Sequence, residues 1–186
     1  MKKYILVFAV SSCIMACNSE APKTETVTTV APATEAVAAV KAEVPLPMTP
    51  SYSNSFELGK SEYAAMIVQG SWKDWDDNKL DNMTNWLADT VVAIGSDMTI
   101  VRGAANLQKI WKEQRAKYTK VLDTLNAVIP IYAKDKNEHW VMVWATSNST
   151  DLKGKIDTAA YMESWRINKD GKADLVLQFD RAKRKK

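Results

Sequence analysis

The run His139-Trp140-Val141-Met142-Val143-Trp144-Ala145-Thr146-Ser147-Asn148 contains neither proline nor glycine and repeats with a period of two. That period marks a β-strand, whose successive side chains point to opposite faces. Trp140, Met142 and Trp144 fall on one face, and Val141, Val143 and Ala145 on the other. The same period extends on both sides of this run. Upstream, Val121 to Ala133 is a long β-type run interrupted by Pro130, which predicts an edge or bulge position there. Lys134 to Glu138 is a polar turn. Downstream, Lys153-Gly154 turns the chain into Ile156 to Asn168, the longest strand. Lys169-Asp170-Gly171-Lys172 is a hairpin signal, because Asp-Gly suits a tight reversed turn, and Ala173 to Asp180 closes the sheet.

Before these strands the period lengthens to three and four. Glu57 to Asp76 reads as helix, with Tyr63, Met66, Ile67, Gly70 and Trp75 at mostly helical spacing and Trp72 displaced to the flank. Lys79 to Leu87 reads as a second, short helix. Thr90 to Ile94 and Met98 to Val101 form a β pair around Gly95-Ser96-Asp97, and Ala104 to Lys120 is a third helix. Helices first and antiparallel strands after them predict an α+β domain with helices covering one sheet face.

The beginning of the chain has a different character. Lys2 and Lys3 precede an apolar core, Tyr4 to Val10, followed by Ile14-Met15-Ala16-Cys17. Charge, apolar stretch and small residue in that order read as a signal peptide over 1–16, too short to span a membrane. Its end resembles the lipobox of bacterial lipoproteins. The resemblance implies cleavage after Ala16, acylation of Cys17 and localisation to a cell envelope, with the bilayer as a partner. Cys13 leaves with the signal, so the mature chain keeps one cysteine and no internal disulfide. Residues 17–55 are rich in Thr, Ala, Val, Pro and Glu, bury too little to offset the entropy of ordering, and read as a flexible linker. The folded domain is expected over 56–182, with a basic tail at 183–186. The formal charge is +3, about +1 without Lys2 and Lys3, and nothing in that balance points to nucleic acid.

The domain resembles the nuclear transport factor 2-like superfamily, and within it the SnoaL-like bacterial branch. The likeness rests on Leu87-Ala88-Asp89-Thr90-Val91-Val92, on Val101-Arg102-Gly103 before the third helix, and on Arg166-Ile167-Asn168-Lys169-Asp170-Gly171-Lys172 before the last strand. It implies a cone-shaped α+β barrel, N-terminal helices packed on a curved mixed or antiparallel sheet, with an internal cavity. The superfamily holds isomerases, dehydratases, cyclases, epoxide hydrolases and members that only bind, so function rests on the site and not on the fold.

Catalytic signatures are sparse. The one histidine, His139, lies beside a polar turn and reads as solvated. No Arg-x-Asp spacing on a strand suits the epoxide-hydrolase pattern. Glu163, Tyr161 and Asp157 share one strand face, and Tyr63, Asp97, Tyr161, Glu163 and Arg166 are the candidates for acid–base work. Asp74, Asp76, Asp77 and Asp81 lack the glycine and distal glutamate of a calcium loop, and no cofactor or metal is expected. The seven tryptophans carry more weight. Large aromatics offer a flat wall to an apolar ligand, and Tyr63, Trp72, Trp75, Trp111, Trp144 and Trp165 are the candidate ligand-binding residues. Three readings follow: a non-catalytic domain that binds a small, largely apolar ligand; a small acid–base enzyme of isomerase, dehydratase or hydrolase type; and an interaction module or homodimer using its open sheet face. The first predicts an occupiable cavity, the second a carboxylate of raised pKa deep in the cone, and the third a filled cone. Binding is preferred to catalysis.

Overall fold

The structure, a computed structural model, describes residues 46–182. The expected signal segment, Cys17, most of the linker and residues 183–186 lie outside the described residues. Within them, a sheet of seven strands carries the helices on one face, an α+β architecture with a curved, open sheet. The strands are β1 (Phe56–Leu58), β2 (Leu87–Ile94), β3 (Ile100–Arg102), β4 (Tyr118–Ala133), β5 (Glu138–Asp151), β6 (Ile156–Ile167) and β7 (Ala173–Ala182). Their spatial order is β1-β4-β5-β6-β7-β2-β3. All neighbours run antiparallel except β2 and β7, which are parallel.

Register assigns the two faces. Val141 lies opposite Trp165, Val143 opposite Glu163 and Ala145 opposite Tyr161, and all three positions on β5 are buried. This is the helix-covered face. Trp140, Met142 and Trp144 point outward, in the company of Ile129, Met162 and Phe179, which are exposed. Pro130 confirms a edge position of a particular kind. Its carbonyl accepts from the Gly59 amide just past the end of β1, so its ring nitrogen also faces the edge, where no donor is missed. The bulge in β4 is elsewhere, between Leu125 and Ala127.

The front of the domain departs from the expected long helix. Phe56 to Leu58 is extended and pairs with β4. Helix α1 (Ser61–Ile67) then widens into a π-helical stretch, Val68–Lys73, before the single turn α2 (Asp74–Asp76). Inserting one residue turns everything after it by about 100° around the axis. Trp72 is thereby buried, not displaced to the flank, together with Ser71 and Asp74. The expected second helix is a 3₁₀ turn, Leu80–Asn82, followed by α3 (Met83–Trp86), and Leu87 already begins β2. Leu80, Met83 and Leu87 are nonetheless all buried, as their spacing implied. Helix α4 (Ala104–Arg115) ends five residues earlier than expected, and Tyr118 opens β4. Gly103 precedes α4 with φ of 86°, a conformation that glycine adopts without strain.

The segment 46–55, expected as linker, is tied to the sheet near its end. The Ser53 hydroxyl donates to Asp135, and the Tyr52 hydroxyl donates to Glu138 while accepting from the Trp140 indole (2.9 Å).

Four indoles form the spine of the core. Trp86 meets Trp165 edge-to-face at 5.4 Å, Trp165 meets Trp111 at 6.2 Å, and Trp111 meets Trp75 at 5.8 Å. Around them lie Ile67, Leu80, Met83, Leu87, Val91, Leu107, Val141, Val143 and Val176. The π turn is what lets Trp86 in. A Cβ on Gly70 would stand 2.4 Å from Cε2 and Nε1 of that indole. Gly70→Ala is therefore expected to destabilise the domain by about 2–3 kcal/mol through overpacking, measured by urea unfolding followed by tryptophan fluorescence. A change below about 0.5 kcal/mol would show that Trp86 has room to move.

Candidate functional site

Inside the cone is a cavity of about 370 Å³ with two unlike walls. The helical wall presents Ser71 and Trp72 from the π turn, Trp75 from α2 and Trp111 from α4. The sheet wall presents Asp123 from β4, Ser147 and Ser149 from β5, Tyr161 and Glu163 from β6, and Gln178 and Asp180 from β7. Gln114, Lys117 and Asp180 are exposed and stand at its rim. Trp72 meets Tyr161 edge-to-face at 6.2 Å, so the two walls touch.

Strand register aligns the polar groups. Asp123 is opposite Ser147, Tyr161 opposite Asp180, and Glu163 opposite Gln178. Glu163 is the deepest, with only 3 % of its surface exposed. Its Oε2 accepts from the Trp165 indole N–H (2.9 Å) and its Oε1 from the Gln178 amide (3.1 Å). Burial pushes its pKa up to about 7, although these two donors favour the charged form. The negative charge of Asp123 raises it further. Burial likewise pushes Asp123 up to about 6, against a hydrogen bond from Ser147 and with the help of Asp76's charge. The backbone amide of Asp123 donates to Asp76 (3.1 Å), and Asp123 Oδ1 is buried with no hydrogen-bond partner among the described residues. Burial and then neighbouring acids drive Tyr161 up to about 12, so it stays a phenol.

A buried cation close enough to lower the pKa of Asp123 spends its hydrogen bonds elsewhere. Arg115, 5 % exposed, donates from Nε to the Trp75 carbonyl (2.7 Å), from Nη1 to that of Tyr118 (2.9 Å) and from Nη2 to that of Asp76 (3.1 Å). It pins the ends of α2 and α4 to the start of β4 and so fixes the cavity's mouth.

Of the residues expected from sequence, the structure brings Trp72, Trp75, Trp111, Tyr161 and Glu163 to this cavity. Trp165 is completely buried beneath it and reaches it only through its bond to Glu163. Four expectations are corrected. Trp144 lies on the outer sheet face, because its register position is opposite Met162 and not a cavity residue. Arg166, also on the outer face, is held by Asp174 (2.8 Å). Asp97 is an exposed turn residue whose Oδ1 accepts from the Thr99 amide, which lowers its pKa. Tyr63 stands edge-on to His139 at 5.1 Å, away from the cavity lining. His139 is not free in solvent either. It stacks on Tyr132 at 4.6 Å, its Nδ1 is buried without a partner among the described residues, and desolvation lowers its pKa. Asp123, Gln178 and Asp180 were not anticipated. Two-residue spacing between Gln178 and Asp180, matched to that between Tyr161 and Glu163, is the signal that links them. Among the described residues, no cluster of His, Cys, Asp and Glu has metal-holding geometry.

Comparison of the sequence with protein-family models and with curated proteins finds no match. Solved structures do match in fold. A SnoaL-like protein of unknown function from Burkholderia thailandensis is 14 % identical, covering 67 % of this chain and 99 % of that one at a TM-score of 0.51. A Δ5-3-ketosteroid isomerase from Mycobacterium sp. is 18 % identical, covering 63 % and 92 %, also at 0.51. An epoxide hydrolase of LEH-like type from M. tuberculosis is 11 % identical, covering 64 % and 84 % at 0.53. The fold is the SnoaL-like, nuclear transport factor 2-like cone.

The buried acid makes stability depend on pH with a definite sign. Glu163's folded pKa, about 7, lies above its ordinary 4.5, so the fold favours the proton. Its contribution is complete below pH 4.5 and is lost as the pH rises through about 7. That gap corresponds to on the order of 3 kcal/mol. In Glu163→Gln, the new side-chain oxygen can still accept from Trp165 Nε1, and its NH₂ can donate to the Gln178 oxygen once that amide rotates. Thermal unfolding at pH 5 to 8 should show the variant gaining on the wild type as pH rises. A variant that is less stable than the wild type at pH 8 would mean that Glu163 is held ionised.

Proposed function

We propose that the domain binds a small organic molecule, its flat apolar body against Trp72, Trp75 and Trp111 and its polar head toward the sheet wall. The chain itself is proposed to be held on a bacterial membrane through acylated Cys17. The two-sided lining is the observation that carries the binding reading. About 370 Å³ is within the ordinary range of small-molecule clefts, roughly 300–1,000 Å³, and three indoles line one side. The acids opposite add a polar head to the largely apolar ligand that the tryptophans alone suggest. The anchoring reading is supported by Lys2, Lys3, the apolar core Tyr4 to Val10 and Ile14-Met15-Ala16-Cys17.

A second reading, acid–base catalysis in the same cavity, is favoured by one observation. Glu163 and Asp123 have pKa values of about 7 and about 6, where a carboxyl gives and takes protons near neutral pH. In that reading protonated Glu163 is the acid and ionised Asp123 the base. Among solved structures of this fold are a ketosteroid isomerase and an epoxide hydrolase, which keeps the reading open at the level of fold.

Native mass spectrometry of the chain from Val44 onward, produced in an export compartment, tests binding. The expected result is a mass excess that mild denaturation removes. A clean apo mass that no screened ligand shifts would sink the binding reading. For the anchor, cells fed a labelled fatty acid should label the chain and retain it on membranes, and Cys17→Ser should abolish both. Label that persists in the variant overturns the assignment of the lipid to Cys17.

A further inference from the structure

We propose that the head of the ligand is a protonated alkylamine, so that the cavity selects amines that carry an aromatic or flat apolar body, with the ammonium between Asp123 and Glu163. This rests on the small-molecule reading above and names its chemical class.

Charge balance within the cavity is the first ground. Two carboxyl groups, on β4 and β6, face one cavity. The buried cation close to them, Arg115, spends its donors on three backbone carbonyls, and Lys117 stands exposed at the rim. Burial holds both acids partly neutral, the charge of Asp123 raises Glu163 further, and that of Asp76 raises Asp123. A guest cation supplies the missing counter-charge. Asp123 also has the Asp76 carboxyl beside it, which adds to the negative charge on this side of the cavity.

The second ground is the opposite wall. Indole faces attract cations through their quadrupole, more strongly where water is excluded. Trp72, Trp75 and Trp111 would therefore hold both the ammonium's flank and the apolar body, whereas an anion would meet repulsion from both walls. Asp180 at the rim adds negative potential along the way in.

The test uses the purified full chain at pH 7.5 and three probes with one skeleton: phenethylamine, 2-phenylethanol and phenylacetate. Titration calorimetry and quenching of cavity tryptophan fluorescence read the affinities. Phenethylamine is expected to bind at least tenfold more tightly than 2-phenylethanol, with phenylacetate weakest. In Asp123→Asn/Glu163→Gln the preference for amine over alcohol should fall to within about threefold, while the alcohol's own affinity changes little. Equal or tighter binding of the alcohol to the wild-type chain overturns the amine assignment and leaves the pocket standing. Silence from all three probes at millimolar concentration overturns the pocket and the amine together. The wild-type comparison needs no variant to fold, so instability of the double variant cannot rescue the proposal.

Discussion

The hydrogen bond from the Trp165 indole N–H to Glu163, 2.9 Å long and fully buried, joins the two halves of this molecule's interior. On one side, it fixes the plane of the central ring in the aromatic spine, whose edge-to-face contacts with Trp86 and Trp111 depend on that plane. On the other, it fixes a carboxyl at the floor of the cavity. A buried indole N–H needs an acceptor and a buried carboxyl needs donors, so each satisfies a requirement that the other would leave open. The pair is separated by a single residue on β6, and both point inward because strand side chains alternate. A packed core and a polar cavity are thus neighbours on one strand.

Two further devices hold the helical wall to this frame. The π stretch Val68–Lys73 rotates Ser71 and Trp72 inward and brings Gly70 against Trp86, where no larger side chain fits. Arg115 gathers carbonyls from α2 and from the start of β4, groups that a helix end would otherwise leave to water. The cost of burying a guanidinium is offset by three charge-assisted hydrogen bonds. Because these bonds are to backbone, the arginine positions the wall without a hydrogen bond to the acids beyond it, and its charge only partly offsets the burial that raises Asp123. The cavity keeps its shape and its negative character together.

Much of the sheet was readable in the sequence, because period two persists over β5 and β6 and Asp170-Gly171 marks their hairpin to β7. The helical front was not. Hydrophobic spacing assumes a constant twist, and a π insertion after Ile67 breaks that assumption without any signature in residue type. The error over Trp144 has another source. Both faces of β5 are apolar, so alternation separates Trp144 from Val143 but cannot say which of them faces the helices. Trp72, Trp75, Trp111, Tyr161 and Glu163 were legible as aromatics and acids on inward elements. Asp123 was hidden, since β4 begins at Tyr118 and carries a bulge after Leu125 that resets the parity between Asp123 and Val128. His139 looked solvated from its polar neighbours, yet long-range stacking on Tyr132 and Tyr63 decides its surroundings.

The arrangement also indicates where selectivity resides. Packing of the spine fixes Trp111 through Trp165, and the π turn fixes Trp72, so the aromatic wall cannot change without disturbing the core. Positions 123, 161, 163, 178 and 180 differ in kind. They project from ladders whose backbone hydrogen bonds do not depend on side-chain identity, and their outward-facing neighbours carry the other face. Within this frame the sheet wall can exchange acid, amide and phenol at small cost to the fold. Glu163 is the exception, because Trp165 requires an acceptor there. A glutamine meets that requirement and an apolar residue does not. The carboxyl at 163 therefore offers something that a glutamine would supply less well: an ionisable group, pre-positioned by the core, at the floor of a cavity whose one lysine, Lys117, stands at the rim.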